Sequence, residues 1–233
     1  MSEIKSRIIS LIERNRISTV EVSDALGKRG VLPGLRPIAP HKHVVGESVY
    51  VYTYRESNWP LHEQIENLPE GRIAFVDSFA CGEKALFGDL VAKYMILYRS
   101  AKAIVANGYV RDGHTLLKED YPIWSCGVTP LGCENAEVQA GPEIEAAAAA
   151  RKRIFDGSVI IADDSGVTMI EENELTETML KKLEFIELQE DIWYYCIDTL
   201  KWSTHKTICQ KAYLSDPQVL PSLLRESLTR FSL

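Results

Sequence analysis

The sequence lacks any apolar run near the ~18 consecutive residues that a membrane span needs. It also has no excess of positive charge: 26 Lys and Arg stand against 33 Asp and Glu, for a net charge of −7. A polyanionic partner therefore finds no global attraction. The densest basic run, Arg151-Lys152-Arg153, reads as a solvated helix face, so neither nucleic acid nor membrane is expected as a partner. Cysteine is sparse, with five residues (Cys81, Cys126, Cys133, Cys196, Cys209) spread so that no C-x-x-C pair exists. That argues against a zinc knuckle and a thioredoxin-type redox site and points to reduced thiols. The start, Met1-Ser-Glu-Ile-Lys-Ser-Arg, is charged and has no signal-type apolar block behind it, so a cytoplasmic location is expected. With 14 glycines, 10 prolines and 45% hydrophobic residues, the composition rules out collagen-like or low-complexity chains and supplies enough apolar surface for a core.

Periodicity then sorts the chain. Ile4, Ile8, Ile9, Leu11 and Ile12 alternate with charges at helical spacing over residues 3–15, and a second helix is expected over Val20–Lys28, capped by Ser18 or Thr19 with Glu21 in its first turn. Val44–Tyr54 is rich in Val and Tyr and reads as a strand. A short helix is expected over Leu61–Asn67. Next comes a buried-type strand, Arg72–Asp77, followed by a loop over Ser78–Phe87. Residues Gly88–Ser100 read as helix, Ala103–Ala106 as strand, Gly108–Asp112 as a tight loop, His114–Glu119 as a short helix and Pro122–Ser125 as strand. Strands separated by short helices imply βαβ units and a mainly parallel sheet. Glu143–Phe155, with five consecutive alanines, reads as helix, Gly157–Ile170 as a β-hairpin turning at Asp163-Asp164-Ser165-Gly166, Glu171–Lys201 as a long helix, and 202–233 as a tail. The expected organisation is an α/β domain over 1–170 with a helical C-terminal extension over 171–233, packed on the same domain or on a neighbouring subunit.

Candidate chemistry gathers at the ends of the central strands, where open α/β sheets bind ligands. The Gly88-Asp89-Leu90-Val91 helix start offers backbone N–H groups and a positive dipole end to a carboxylate or phosphate. It lacks the Lys-Ser/Thr chemistry of a P-loop. Arg111-Asp112 follows the next strand and faces the same side. Arginine presents a planar fork that matches a carboxylate, and aspartate is a hard oxygen ligand for Mg²⁺ or Mn²⁺. Taken alone, such a dipeptide is equally a surface ion pair worth about 0–1 kcal/mol.

The run Gly88-Asp-Leu-Val-Ala92, then Asn107-Gly-Tyr-Val-Arg-Asp112 and Pro122-Ile-Trp-Ser, resembles the RraA-like proteins. That family includes the regulator of ribonuclease activity A and the class II 4-hydroxy-4-methyl-2-oxoglutarate aldolases, which also decarboxylate oxaloacetate. Ser18-Thr-Val-Glu-Val-Ser-Asp-Ala-Leu26 resembles the family's opening helix, and Asp156-Gly-Ser-Val-Ile-Ile-Ala-Asp-Asp-Ser-Gly-Val167 its closing hairpin. The resemblance implies a phosphohistidine-domain-like fold of the swivelling β/β/α type. It also implies a divalent-metal-dependent lyase, which cleaves a C–C bond of a 2-oxo acid and yields pyruvate through a metal-stabilised enolate. In that reading the amides of Gly88, Asp89, Leu90 and Val91 hold the substrate carboxylate, and Arg111 binds the same 2-oxo acid. Asp112 ligates Mg²⁺ or Mn²⁺ and Asp89 orients metal-bound water, so Asp89 and Arg111 are the catalytic candidates. No Schiff-base lysine is required of Lys84 or Lys93. The Asp89–Arg111 spacing is one residue longer than the family's usual pattern, and the helix after Gly88 is bulkier. Two other readings accompany this one: a non-enzymatic regulator that binds and inhibits a ribonuclease, and a family member diverged to other metal-dependent chemistry. Regulators of that kind lack the intact Arg-Asp pair.

His41 and His43 without neighbouring Cys or carboxylates read as exposed loop histidines rather than half a metal site. His114 reads as a surface helix start, and Cys81 has no nearby histidine to activate it. The aromatic cluster Trp193, Tyr194, Tyr195 and Trp202 reads as core or subunit interface. An exposed apolar patch there, together with the family's ring-shaped assemblies, leads to an expected homotrimer or hexamer. The alternative is that the extension folds back over the cluster within one chain.

Overall fold

Strands covered on both faces read as apolar runs rather than alternations, and the centre of the sheet is built from such runs. The computed structural model describes residues 3–231. Its strands are β1 (Arg36–Pro37), β2 (Val44–Tyr54), β3 (Ile73–Phe79), β4 (Ala85–Phe87), β5 (Ala103–Val110), β6 (Ile123–Val128), β7 (Val159–Asp163) and β8 (Gly166–Ile170). They form one sheet in the order β1-β6-β5-β3-β2-β7-β8, with β4 pairing β5 off this path. The β2–β3, β3–β5, β4–β5 and β5–β6 pairs are parallel, and β1, β7 and β8 join antiparallel. β2 serves both halves: Val44–Glu47 pair with β7, and Ser48–Tyr54 with β3. At the far side Val31 bridges Thr168 and Arg36 reaches the Ser165 carbonyl, so the sheet curls nearly closed. This is a mixed α/β fold with a parallel centre, as expected.

Side chains alternate between the two faces with period two. One register row, Tyr50–Phe75–Val105–Trp124, faces a core shared with Phe155, whose ring stacks on Phe75 at 4.0 Å. The next row places Val51, Val76 and Ala106 on the opposite face, against helices α3 (Trp59–Ile65), α4 (Asp89–Lys93) and α5 (Gly113–Lys118). Helices α1 (Glu3–Asn15) and α2 (Thr19–Ala25) precede the sheet, and α6 (Pro142–Phe155) precedes the hairpin. Ser18 caps α2 in a capping box: Glu21 N–H donates to its hydroxyl (3.2 Å), and its own N–H donates to Glu21 Oε2 (2.7 Å).

Several local expectations are corrected. The 78–87 segment is not all loop, because Ala85–Phe87 pairs with β5. β5 runs on to Val110 rather than stopping at Ala106, bulging between Ala106 and Tyr109 to stay paired with β6. The expected loop thereby shrinks to Arg111-Asp112. Arg151 is not a solvated cation: its guanidinium pairs with buried Asp77, NH2 to Oδ1 at 3.3 Å, and lies 4.6 Å over the Phe155 ring.

The chain divides into two units at Thr176/Glu177. The second begins with α7 (Glu177–Tyr194), preceded by a separate 3₁₀ turn at Glu172–Glu174 and continued by a π-helical turn at Tyr195–Thr199. The stretch expected as a tail is folded: a turn at His205–Cys209, then α8 (Ala212–Ser215) and α9 (Ser222–Arg230). Within this unit Ile192, Cys196, Tyr213 and Leu220 form a core, with Trp193, Tyr195 and Trp202 packed on it. Trp193 Nε1 donates to the Tyr213 hydroxyl at 3.3 Å. The extension thus covers most of its own aromatic cluster and leaves Tyr194 exposed. The exposed patch that argued for assembly is reduced to one tyrosine.

Candidate active site

The site grows from two consecutive strand ends. β4 ends at Phe87 and leads through Gly88 into α4, which continues as a π-helical turn at Tyr94–Tyr98. β5 ends at Val110, and Arg111 N–H donates to the Phe87 carbonyl at 3.0 Å, which ties the two strand ends together. Asp112 then takes a left-handed conformation (φ 59°, ψ 35°) at the N-cap position of α5, with no side-chain bond to that helix. Aspartate tolerates that conformation better than most L-residues, because its short carboxylate finds local partners. Here the partner is the α4 start: Asp89 N–H donates to Asp112 Oδ2 at 3.1 Å.

Two glycines make this corner possible by close approach. A Cβ at Gly88 would fall on Asp112 Oδ2 and lie 3.0 Å from Arg111 Cγ and 3.1 Å from its Nε. A Cβ at Gly132 would lie 2.7 Å from an Arg111 terminal nitrogen. The arginine therefore lies against two glycine backbones, where an added Cβ would oblige its side chain to shift. Its Nε stands 3.6 Å from Asp112 Oδ2, and that carboxylate is its only partner among the described residues. Both side chains stay open to the cleft, at 50% and 37% exposure.

The structure brings all six expected residues, Gly88, Asp89, Leu90, Val91, Arg111 and Asp112, to one cleft of about 470 Å³. Leu90 is exposed at its mouth, and Asp89 is half-buried. The opposite wall comes from α3 and was not anticipated. Trp59 is held there by its Nε1 donating to Glu63 Oε1 (3.0 Å), and His62 lies beside it. Asn58 is buried, and its Oδ1 has no hydrogen-bond partner among the described residues. A third wall is Gly132–Asn135, whose backbone pairs with β4. None of these carries a motif: their approach is made by the β2–α3 connection and by a bridge between Ala85 and Gly132.

The remaining candidates fall elsewhere. His114 is exposed on α5 and does not line the cleft. His43 Nε2 lies 2.9 Å from the Ile17 carbonyl, and His41 stands 3.6 Å from Asp164 on the surface. Among the described residues no group of three or more His, Cys, Asp or Glu is arranged to hold a metal. No helix among them is long and apolar enough to cross a membrane.

Residues 19–169 match the family model described as RraA-like, Aldolase/RraA. Among curated relatives, Protein DlpA of Legionella pneumophila is 24% identical over 186 residues, which cover 78% of this chain and 30% of DlpA. The chain thus spans less than a third of that relative. The "Putative 4-hydroxy-4-methyl-2-oxoglutarate aldolase" of Shewanella oneidensis is 27% identical over 129 residues, 55% of this chain and 76% of that protein. The structure of Streptomyces coelicolor RraAS2, described as an unusual member of the RNase ES inhibitor RraA protein family, has the same fold. It matches with a TM-score of 0.60 at 21% identity, over 79% of this chain and 94% of that one.

Proposed function

The chain belongs to the RraA-like family, and from that premise we propose that it is a divalent-metal-dependent lyase that cleaves a C–C bond of a 2-oxo acid to release pyruvate. The substrates proposed are oxaloacetate or 4-hydroxy-4-methyl-2-oxoglutarate. The observation that carries the reading is the Arg111–Asp112 corner, pressed against the α4 start by Gly88 and left open to the cleft. The donor set fits a hard cation. Asp112 with Asp89 offers one or two carboxylates, which is the sparse protein shell that Mg²⁺ or Mn²⁺ uses while keeping water and substrate oxygens as its other ligands. Asp112 would hold that cation, which supplies Lewis-acid stabilisation of the negative charge that develops as the C–C bond breaks.

The protein's own groups do the rest. Arg111 offers its fork to the 2-oxo acid from between the Gly88 and Gly132 backbones. The first-turn amides of Leu90 and Val91 have no intrahelical acceptor and face the same space, where they favour a carboxylate. The Asp89 amide is already engaged by Asp112, so it positions the metal-binding carboxylate rather than the substrate. The Asp89 side chain orients a water at the cleft. The presence of both Arg111 and Asp112 in one open cleft favours the enzyme over the ribonuclease-binding regulator. A cytoplasmic homotrimer or hexamer belongs to the same proposal, supported by exposed Leu97 and Tyr98 on the helix that follows Gly88. Sedimentation equilibrium tests the assembly, since a concentration-independent mass of 26.2 kDa would refute it. Pyruvate release from both substrates, with Mg²⁺ or Mn²⁺ and then with EDTA, tests the activity. The expected result is turnover that EDTA abolishes; no turnover on either substrate sinks the proposal.

A further inference from the structure

The α3 wall of the cleft carries a chemistry that the Arg111–Asp112 corner does not explain. Trp59 lines that wall and is 40% exposed, and Leu90 stands exposed at the mouth, although both are large and apolar. The Trp59 ring is anchored by its Nε1 donating to Glu63 Oε1, one helical turn on, at 3.0 Å. Glu63 and Glu66 bring two carboxylates to the same wall. Cations are scarce by comparison. Among the described residues, Arg111 is the one Lys or Arg that lines the cleft. Lys84 pairs with Glu56 at 2.6 Å and is not part of the lining. His62 is the remaining basic side chain there, and it stands beside Glu63 in α3.

We propose that this cleft selects 2-oxo acids with a single carboxylate and an uncharged aromatic group at the far end, with Trp59 as the specificity-determining residue. The ligand spends its C1 carboxylate on Arg111, the one arginine present. A second carboxylate at the far end then finds no arginine or lysine and faces Glu63 and Glu66. Like charges brought together in a partly closed cleft reject a ligand. An aromatic ring instead covers Trp59 and Leu90 and removes their apolar surface from water. A cationic end is less well served. Glu63 is engaged by the indole N–H, and Glu66 is exposed, where a charge pair contributes little. The selection rests on the lyase reading for the place of the C1 carboxylate, but not on turnover. In that reading the substrate is a 4-hydroxy-2-oxo acid with an aryl group on C4, and the dicarboxylates are turned over less efficiently. The C3–C4 bond breaks, and the C4 hydroxyl loses its proton and becomes the carbonyl of an aromatic aldehyde. C3 takes the bonding pair and a proton to give pyruvate.

The test is calorimetric titration of the full chain, with Mn²⁺ present, against two 2-oxo acids that have no 4-hydroxyl and differ only in the group on C4: 2-oxo-4-phenylbutanoate and 2-oxoglutarate. The phenyl acid should bind at least ~10-fold more tightly. Trp59→Ala should erase that difference, Trp59→Phe should keep most of it, and Glu66→Lys should narrow it by improving 2-oxoglutarate. In turnover, kcat/KM for pyruvate release should be ~10-fold higher from 4-hydroxy-2-oxo-4-phenylbutanoate than from 4-hydroxy-4-methyl-2-oxoglutarate. Equal or tighter binding of 2-oxoglutarate by the wild type, or a higher kcat/KM for the dicarboxylate, would overturn the proposal. So would a Trp59→Ala chain that keeps the preference, or tighter binding of the cationic 5-guanidino-2-oxopentanoate. A phenyl preference in binding without pyruvate from any substrate would instead overturn the lyase reading and leave the selection standing.

Discussion

Two Arg–Asp pairs at or near the carboxyl ends of the parallel strands β3 and β5 are used in opposite ways. Arg151–Asp77 is saturated. Asp77 is 2% exposed and also receives the Tyr50 hydroxyl (3.1 Å), the Asn107 amide (2.8 Å) and the Ser78 N–H (3.1 Å). Burial beside that carboxylate raises the Tyr50 phenol well above its ordinary range, so Tyr50 remains a hydrogen-bond donor. Arg111–Asp112 is unsaturated. Its members stand 3.6 Å apart, half open to solvent, with one backbone amide as their further contact. A carboxylate that has spent its lone pairs holds a fold together, whereas one with capacity left can take a ligand. What separates scaffold from site here is the count of satisfied partners.

That contrast can be broken first at the saturated pair. Asp77→Ala removes the buried charge that four donors address and strands the Arg151 guanidinium, so stability should fall by about 3–5 kcal/mol; the urea midpoint measures it. A loss below about 1 kcal/mol would show that the network is dispensable. Next, Asp112→Ala should leave the urea midpoint within about 1 kcal/mol of the parent, because an exposed ion pair contributes little. Its metal-dependent turnover should fall at least ~100-fold, about 2.7 kcal/mol of transition-state stabilisation. Full metal-dependent activity in that variant would remove Asp112 from the site.

Gly88→Ala sharpens the comparison without touching either charge. The added Cβ must displace Asp112 Oδ2 or the Arg111 side chain, and a shift of that size should lower turnover by ~10–100-fold. Turnover equal to the parent's would mean that the close approach has no functional role. The smallest effect belongs to Arg111→Lys, which keeps the charge but loses the fork. The Michaelis constant should rise ~10-fold, about 1.4 kcal/mol, with the turnover number less affected. An unchanged Michaelis constant would place the substrate carboxylate elsewhere.

Much of the central sheet was legible because its physics is local. Val44–Tyr54 is a strand over its whole expected length, and the Asp163–Gly166 turn and the Ser18 capping box carry their own chemistry. What was hidden depended on partners distant in sequence. Ala85–Phe87 is too short to declare itself, and only β5 makes it a strand. Gly108-Tyr-Val looks like a turn but is held extended by β4 and β6 on its two sides. Arg151 sits in a basic run and points inward only because Asp77 is buried opposite. Beyond Thr204, short π and 3₁₀ turns break the helical period, so 202–231 lacked a readable pattern although it folds on its own aromatic core. At the site, the charged corner was legible because Gly, Arg and Asp lie close in sequence to two strand ends. The α3 wall was not: the unpaired Asn58 oxygen becomes noticeable only when its burial is known.

The most direct test of the central claim is calorimetric titration of Mn²⁺ into the wild-type chain and into Asp112→Ala, each in the presence of pyruvate and each checked for native circular dichroism. Saturable Mn²⁺ binding to the wild type, lost in Asp112→Ala, is the expected result. Equal binding by a natively folded Asp112→Ala chain would contradict it.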